Sequence, residues 1–324
     1  MRSRLTLLAA CALALALPST ASAAFSVGIS ENEASMFGDP LFQEVGFKEA
    51  RVIVGYDVAL EPGGPEAARL RQYLDAAKSQ GVEVLVSLQH SRGDTSRCGQ
   101  KKHIGKGLCK LPSQKAYEKA VKAFFTVFPD VKVISPWNEI NHFTQPTSRS
   151  PASAAKFTNT VAKLCKSCKI VVADILDQAD DPKAKHPKFT DTQKYIKTFR
   201  KYLKVKRNVC GIHNYSDVNR FRSTGTKALM SALGCKEYWL TETGGMYDFG
   251  SFWSKKTYKG CSKASSCQLK ATKYMFSQAK ANKKIKRLYV YTWFGAVTPR
   301  FDAGLVADGT ARPALKEIKK YVKK

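Results

Sequence analysis

The chain has 324 residues, 44% of them hydrophobic, and a formal net charge of +28 at pH 7. That length and apolar content are ample for a full core, and one barrel-sized domain accounts for them. The lysines are spread through every predicted helix and no recognised nucleic-acid motif accompanies them, so a solvated basic exterior is favoured over a nucleic-acid-binding face.

Residues 1–23 read as a secretory signal. Arg2 and Arg4 form a basic start, Leu5 to Leu17 are almost wholly apolar, and Ala21-Ser-Ala23 gives a small-residue cleavage site. The apolar run is too short to span a bilayer, and no later segment is apolar enough to do so. Leu8-Ala-Ala-Cys11 resembles a bacterial lipobox, but the apolar run continues past Cys11 to the better cleavage site. The mature domain then covers 24–324 and keeps eight of the nine cysteines, an even number that reads as disulfides in an exported protein. Proximity suggests Cys98–Cys109, Cys165–Cys168, Cys210–Cys235 and Cys261–Cys267. A metal or redox dithiol at Cys165-Lys-Ser-Cys168 lacks a second ligand pair.

Phe25 to Ser30 is a first apolar strand and Ala50 to Tyr56 a second. Pro65 to Gln80 carries a helical face at Leu70, Tyr73, Leu74 and Ala77, ended by Gly81. Val82 to Leu88 is a third strand, followed by a long Gly/Lys/Cys loop over 91–112. Ser113 to Phe128 is helical, with Tyr117, Ala120, Val121, Phe124 and Phe128 on one side. The fourth strand opens at Val131 and runs into Pro-Trp137-Asn138-Glu139. A helix over 151–165, a strand over 169–176, a helix over 191–203 and a strand over 209–215 follow. Phe221 to Leu233 is helical, Glu237 to Thr243 is the seventh strand, and 246–264 is a second long loop. A helix over 265–281, an eighth strand over 285–294 and a last helix over 313–322 complete the chain. Strands alternating with helices at this spacing imply a parallel sheet, and eight of them in about 300 residues fit one closed (β/α)8 TIM barrel of the α/β class. The alternative, a doubly wound open sheet, lacks a Gly-rich first turn.

Polar side chains gather at the strand ends: Arg51, His90, Asn138, Glu139, Asp174, His213, Tyr215, Glu242 and Trp293. A barrel closes those ends into one mouth, where such enzymes keep their chemistry. Two strand-end glutamates, Glu139 and Glu242, suit acetal hydrolysis, which needs an acid to protonate the leaving oxygen and a carboxylate opposite. Each acid also has a structural reading, Glu139 as a capping or salt-bridged residue and Glu242 as a turn residue before Gly244-Gly245. His213 alone reads equally as a satisfied core histidine, and Trp137 as packing.

Trp137-Asn138-Glu139 after the fourth strand and Thr241-Glu242-Thr-Gly after the seventh resemble the retaining (β/α)8 glycoside hydrolases of clan A, which include families 5 and 39. Arg51, Tyr215, Trp293 and the ending Asp302 to Leu315 match as well, so the resemblance covers nearly all of the mature chain. It implies that Glu139 is the acid/base and Glu242 the nucleophile of a double displacement on an O-glycosidic bond. Asn138 would then hold the sugar 2-hydroxyl, Arg51 and Tyr215 would keep Glu242 ionised, and Trp293 would floor the subsite. His90, His213 and Asp174 are expected as substrate hydrogen-bonders. Glu139 is expected in apolar surroundings, near Trp137 and Phe143. No metal and no cofactor is implied. The expected partner is a carbohydrate, with the positive charge pointing mildly to an anionic or cell-wall glycan, and the expected form is a secreted monomer without nucleic acid or stable membrane insertion. The competing reading is a catalytically silent barrel that captures carbohydrate.

Overall fold

A computed structural model of the chain describes residues 25–92, 110–177, 191–248, 265–295 and 301–322. The strands are β1 (Ser26–Ser30), β2 (Glu49–Gly55), β3 (Glu83–Gln89), β4 (Val133–Ser135), β5 (Lys169–Leu176), β6 (Val209–His213), β7 (Glu237–Thr243) and β8 (Ile285–Tyr291). Each pairs in parallel with the next, and β8 closes on β1 from Ser26↔Arg287 to Ser30↔Tyr291, so the sheet has no edge. The expected (β/α)8 barrel is therefore the observed fold.

The helices are α1 (Pro40–Val45), α2 (Pro65–Ser79), α3 (Gln114–Val127), α4 (Pro151–Leu164), α5 (Thr192–Tyr202), α6 (Tyr215–Asn219), α7 (Thr224–Leu233), α8 (Ser265–Ala281) and α9 (Pro313–Lys319). Their inward faces follow the sequence period. In α3 the buried residues are Tyr117, Ala120, Val121 and Phe124, and the Ser113 side chain caps the helix by accepting from Ala116 N–H. In α5 Tyr195, Ile196 and Phe199 face in, and Asp191 is the cap. Helix α1 had no counterpart in the sequence reading. It is only six residues long, started by Asp39 and Pro40 and stopped by Gly46 in the left-handed region at φ 75°. The residues 306–311, read as loop, carry a two-stranded hairpin, β9 (Val306–Ala307) with β10 (Thr310–Ala311).

The barrel interior is layered. Leu85, Val133, Val171, Val209, Trp239 and Tyr289 form a separate buried apolar cluster that plugs the barrel. Above it, toward the strands' C-terminal ends, the inward residues turn polar: Arg51, Ser87, Ser135, Asp174 and Thr241 are all fully buried. Gly211 belongs to this layer for a steric reason, since a Cβ there would stand 2.4 Å from Asp174 Oδ1 and 2.7 Å from Thr241 Oγ1. An apolar floor under a polar layer is what a packed barrel with a site at its top requires.

Two of the expected disulfides are present, Cys165–Cys168 and Cys210–Cys235. Cys267 is also disulfide-bonded. Cys98, Cys109, Cys261, the segment 1–24 and most of both long loops lie outside the described residues. Cys210–Cys235 ties β6 to the turn before β7 across 25 residues, whereas Cys165–Cys168 closes three. Chain-entropy reasoning gives about 3.5 kcal/mol for the first and about 2 kcal/mol for the second. The Cys210→Ala/Cys235→Ala variant should therefore lose more in urea midpoint than Cys165→Ala/Cys168→Ala, and the reverse order would count against the loop-length account.

Candidate active site

The polar layer is one connected network centred on Arg51. In the middle of β2 this guanidinium is wholly buried, which demands counter-charge. Its Nη1 donates to Glu242 Oε1 at 2.6 Å and to Ser30 Oγ at 3.1 Å, and its Nη2 donates to Asn138 Oδ1 at 2.7 Å and Asp174 Oδ2 at 2.9 Å. Four strands and the end of β4 thus meet at one side chain. Tyr215, the first residue of α6, donates its hydroxyl to Glu242 Oε2 at 2.8 Å. Both Glu242 oxygens are thus held by donors.

Glu139 arrives differently. Asn138 N–H donates to Leu88 O at 2.6 Å and Ile140 N–H to Asp174 O at 2.9 Å, so the chain past β4 is stitched to β3 and β5. Between these bonds Glu139 takes φ 46°, the left-handed region that a glutamate rarely adopts. Such backbone persists where surrounding bonds over-determine it, and it aims the side chain into the mouth. His213 Nδ1 lies 3.1 Å from Glu139 Oε1, and His142 Nδ1 lies 3.4 Å from Glu139 Oε2. A carboxylate oxygen of Glu139, one of Glu242 and a ring nitrogen of His213 all lie within 4.8 Å of one another.

His213 links the two halves. It is fully buried, with Nε2 at 3.1 Å from Asp174 Oδ1 and Nδ1 toward Glu139, 3.7 Å from Glu242 Oε2. Burial opposes charge on the ring, but the Glu242 and Asp174 carboxylates outweigh it and push the imidazolium up to about 10. The charged ring donates from both nitrogens. Asp174 also accepts from Ser87 Oγ at 3.2 Å and from Thr241 Oγ1. Burial would raise the Asp174 carboxyl, yet Arg51 and His213 hold it well below the usual carboxylate range.

Four expectations need correction. Asp174 and His213 have no exposed surface and serve the network beneath the mouth, so neither is placed to hydrogen-bond a substrate. Trp293 is also fully buried; its Nε1 donates to Asp39 Oδ2 at 2.9 Å, and its ring meets Phe42 and Phe47 edge-on. It packs α1 against the barrel and offers no face to a sugar. Glu139 is not in apolar surroundings: Trp137 lies in a buried stack with Tyr56 and Phe157, while the histidines meet the carboxylate. Burial would raise the Glu139 carboxyl, but His142, His213 and Arg51 together lower it. His90 follows β3, buried, with Nδ1 2.9 Å from Ser91 O.

The aromatic that does reach the mouth from β8 is Tyr291. It meets Tyr215 and Phe301 edge-on, and burial followed by Glu242 and Glu31 drives its hydroxyl up. His142, Ser30 and Ser87 were also not singled out from sequence, and Thr241 only within the motif around Glu242. A polar residue inside a buried β-branched run is the signal that marks Ser87 and Thr241 as inward.

The spacing of Glu139, His213 and Glu242 would admit a divalent cation, the one such group among the described residues. It is a poor fit, because His213 would have to give up a proton held by two carboxylates before its Nδ1 could ligate.

No family model and no curated protein sequence matches the chain. Solved structures do match. A β-glucosidase from Thermotoga maritima in complex with galacto-hydroximolactam superposes with a TM-score of 0.59 at 11% identity, over 92% of this chain and 97% of that one. A family 1 β-glucosidase from the same organism gives a TM-score of 0.58 at 11% identity, covering 93% and 99%. A β-glucuronidase from an uncultured Clostridium gives 0.56 at 11% identity, over 91% of this chain and 50% of that one. At these identities the likeness is one of fold. Among the described residues no helix is long and apolar enough to cross a membrane.

The His213 charge makes stability pH-dependent with a definite sign. Its folded value lies above the unfolded 6.5, so its contribution is complete below about pH 6.5 and is lost as pH rises toward 10. Melting temperature should fall from pH 7 to 10 more steeply in the wild type than in His213→Gln. Parallel curves from calorimetry would show that the ring is neutral in the fold.

Proposed function

We propose that this chain is a secreted retaining glycoside hydrolase of the clan A type, with residues 1–23 as its signal and 24–324 as the catalytic domain. The observation that carries the reading is the pair of carboxylates from the ends of β4 and β7, with oxygens within 4.8 Å of each other in one barrel mouth. Carboxyl groups about 5–5.5 Å apart leave no room for a water between sugar and base, which favours a covalent intermediate and retention. The glycosidase names of the structural neighbours support the same class of chemistry.

Glu242 is the nucleophile in this reading. Arg51 and Tyr215 donate to its two oxygens and fix its orientation. Asn138 gives its Oδ1 to Arg51, which turns the amide N–H groups toward a sugar hydroxyl. Glu139 and His213 act as a pair that carries one mobile proton. At rest the proton sits on His213 Nδ1. Its transfer to Glu139 makes the acid that protonates the glycosidic oxygen as the C1–O bond breaks and Glu242 bonds to C1. Glu139 is then a carboxylate beside a neutral His213. It takes a proton from the water that displaces Glu242 from C1, and the proton returns to the ring. Atoms and charges balance with no further reactant.

The test is proton NMR of turnover on aryl β-glucoside, aryl β-glucuronide and a panel of plant, fungal and bacterial glycans. The β product should form first, followed by mutarotation. An α product formed first would end the retaining reading, and sugar binding without cleavage of any substrate would favour the silent barrel.

A further inference from the structure

The flank of the barrel under α5 carries a second feature unrelated to the mouth. A groove of about 960 Å³ runs between α5, the segment 203–208 and the end of α7 at Ala232. That segment feeds the N-terminal end of β6, so the groove lies toward the barrel's bottom. Among the described residues five cations line it, Lys194, Lys197, Arg200, Lys201 and Arg207, and no carboxylate does. None of the five forms an ion pair with a carboxylate among the described residues. Its floor is apolar, from Ile196, Leu203 and Val205.

This is not the generic texture of a lysine-rich surface. A groove of about 810 Å³ beside α2 and α3 mixes Arg71, Lys78 and Lys132 with Asp75, Glu83 and Asp130, and its Lys78 pairs with Asp130 at 3.2 Å. Under α5 the charge is instead of one sign and organised. Lys194, Lys197 and Lys201 stand at i, i+3 and i+7, one stripe along a single helix face, about 10 Å long. Arg200 Nη1 donates to Ala232 O at 2.8 Å and Arg207 Nη1 to Leu233 O, so the two arginines are tethered to the end of α7 and give the groove a fixed wall.

We infer that this groove is a docking site for an anionic polysaccharide, one that bears a carboxylate or phosphate at regular intervals. One row of cations at helical-turn spacing suits a single flexible polyanion rather than the two phosphate rows of a duplex. The floor is recessed between cations, so it presents no apolar ridge for insertion into a bilayer. That this polyanion is a saccharide rests on the glycosidase reading of the mouth. The site would hold the protein on a charged matrix while the mouth, on another face, stays free.

The experiment compares wild type with the charge-reversed stripe Lys194→Glu/Lys197→Glu/Lys201→Glu and with a control of equal charge change on exposed lysines of α8 and α9, Lys270→Glu/Lys273→Glu/Lys316→Glu. Titration calorimetry at several salt concentrations uses polygalacturonate and a phosphomannan as carboxylate and phosphate probes, with single-stranded DNA and phosphatidylserine vesicles as rivals. The stripe variant should lose at least tenfold in affinity for one polysaccharide probe, and its salt slope should shrink by about two, while the control changes less than twofold. Equal losses in both variants would make the attraction diffuse and overturn the site. Tighter wild-type binding to the DNA or the vesicles than to either polysaccharide would overturn its assignment. Melting temperatures of both variants check that neither result comes from unfolding.

Discussion

Glu242→Ala should lower turnover by about 10⁴ to 10⁶, the range seen when a nucleophile is removed from a site whose other parts remain. The carboxylate has no substitute within reach. Glu139 lies on the other side of the gap, and Tyr215 has its hydroxyl driven up by burial and by Glu242 itself, so it will not ionise to replace it. The truncation leaves a space lined by Arg51 Nη1 and the Tyr215 hydroxyl, both donors that had faced an anion. A small anion such as azide should enter that space and restore part of the rate. It would attack from the face Glu242 had used, so a β-linked substrate should yield an α-glycosyl azide. At Glu139→Ala the enzyme-bound ester still forms with an activated leaving group, and azide arriving on the opposite face should give the β product. A β-azide from Glu242→Ala, or an α-azide from Glu139→Ala, would exchange the two roles.

The sequence exposed the two acids because each ends an apolar run, and a carboxylate at that point has no core role. Arg51 stood out for the same reason, as a charge inside Ala-Arg-Val-Ile-Val. The radial direction of a side chain was much less legible. Strands of a parallel barrel are buried on both faces, so hydrophobic alternation does not mark which residues point in. Register shifts between Val171 and Asp174 and between Gly211 and His213 compound this, because each slip exchanges the inward and outward sets. Asp174 and His213 were therefore placed at the correct strands but at the wrong depth. Trp293 failed for another reason. It turns outward onto Phe42 and Phe47, and the six-residue α1 that carries Phe42 is too short to show a helical period.

Asp174→Asn should cost about 10² to 10⁴ in kcat with little change in KM, although the residue touches no substrate. Asp174 is bonded to both Arg51 and His213, and through them it reaches both Glu242 and Glu139. Asparagine keeps the shape and removes the charge. Of the carboxylates that hold the His213 proton against burial, Glu242 and Glu139 then remain without Asp174, so the ring's pKa must fall. In the proposed mechanism the proton shared by His213 and Glu139 is the one delivered to the leaving group. The high-pH limb of kcat/KM should accordingly move to lower pH in the variant, and nitrogen-15 resonances of the His213 ring should titrate at the same shifted value. A purely structural role for Asp174 would lower the rate while leaving that limb in place. Asp174→Ala removes the acceptor altogether and leaves Arg51 and His213 short of counter-charge in a dry layer. Breaking a buried pair in this way costs about 3–5 kcal/mol, so alanine should lose stability as well as rate. Asparagine separates the two effects: equal kcat losses in both variants with an unmoved high-pH limb would remove Asp174 from the proton's path.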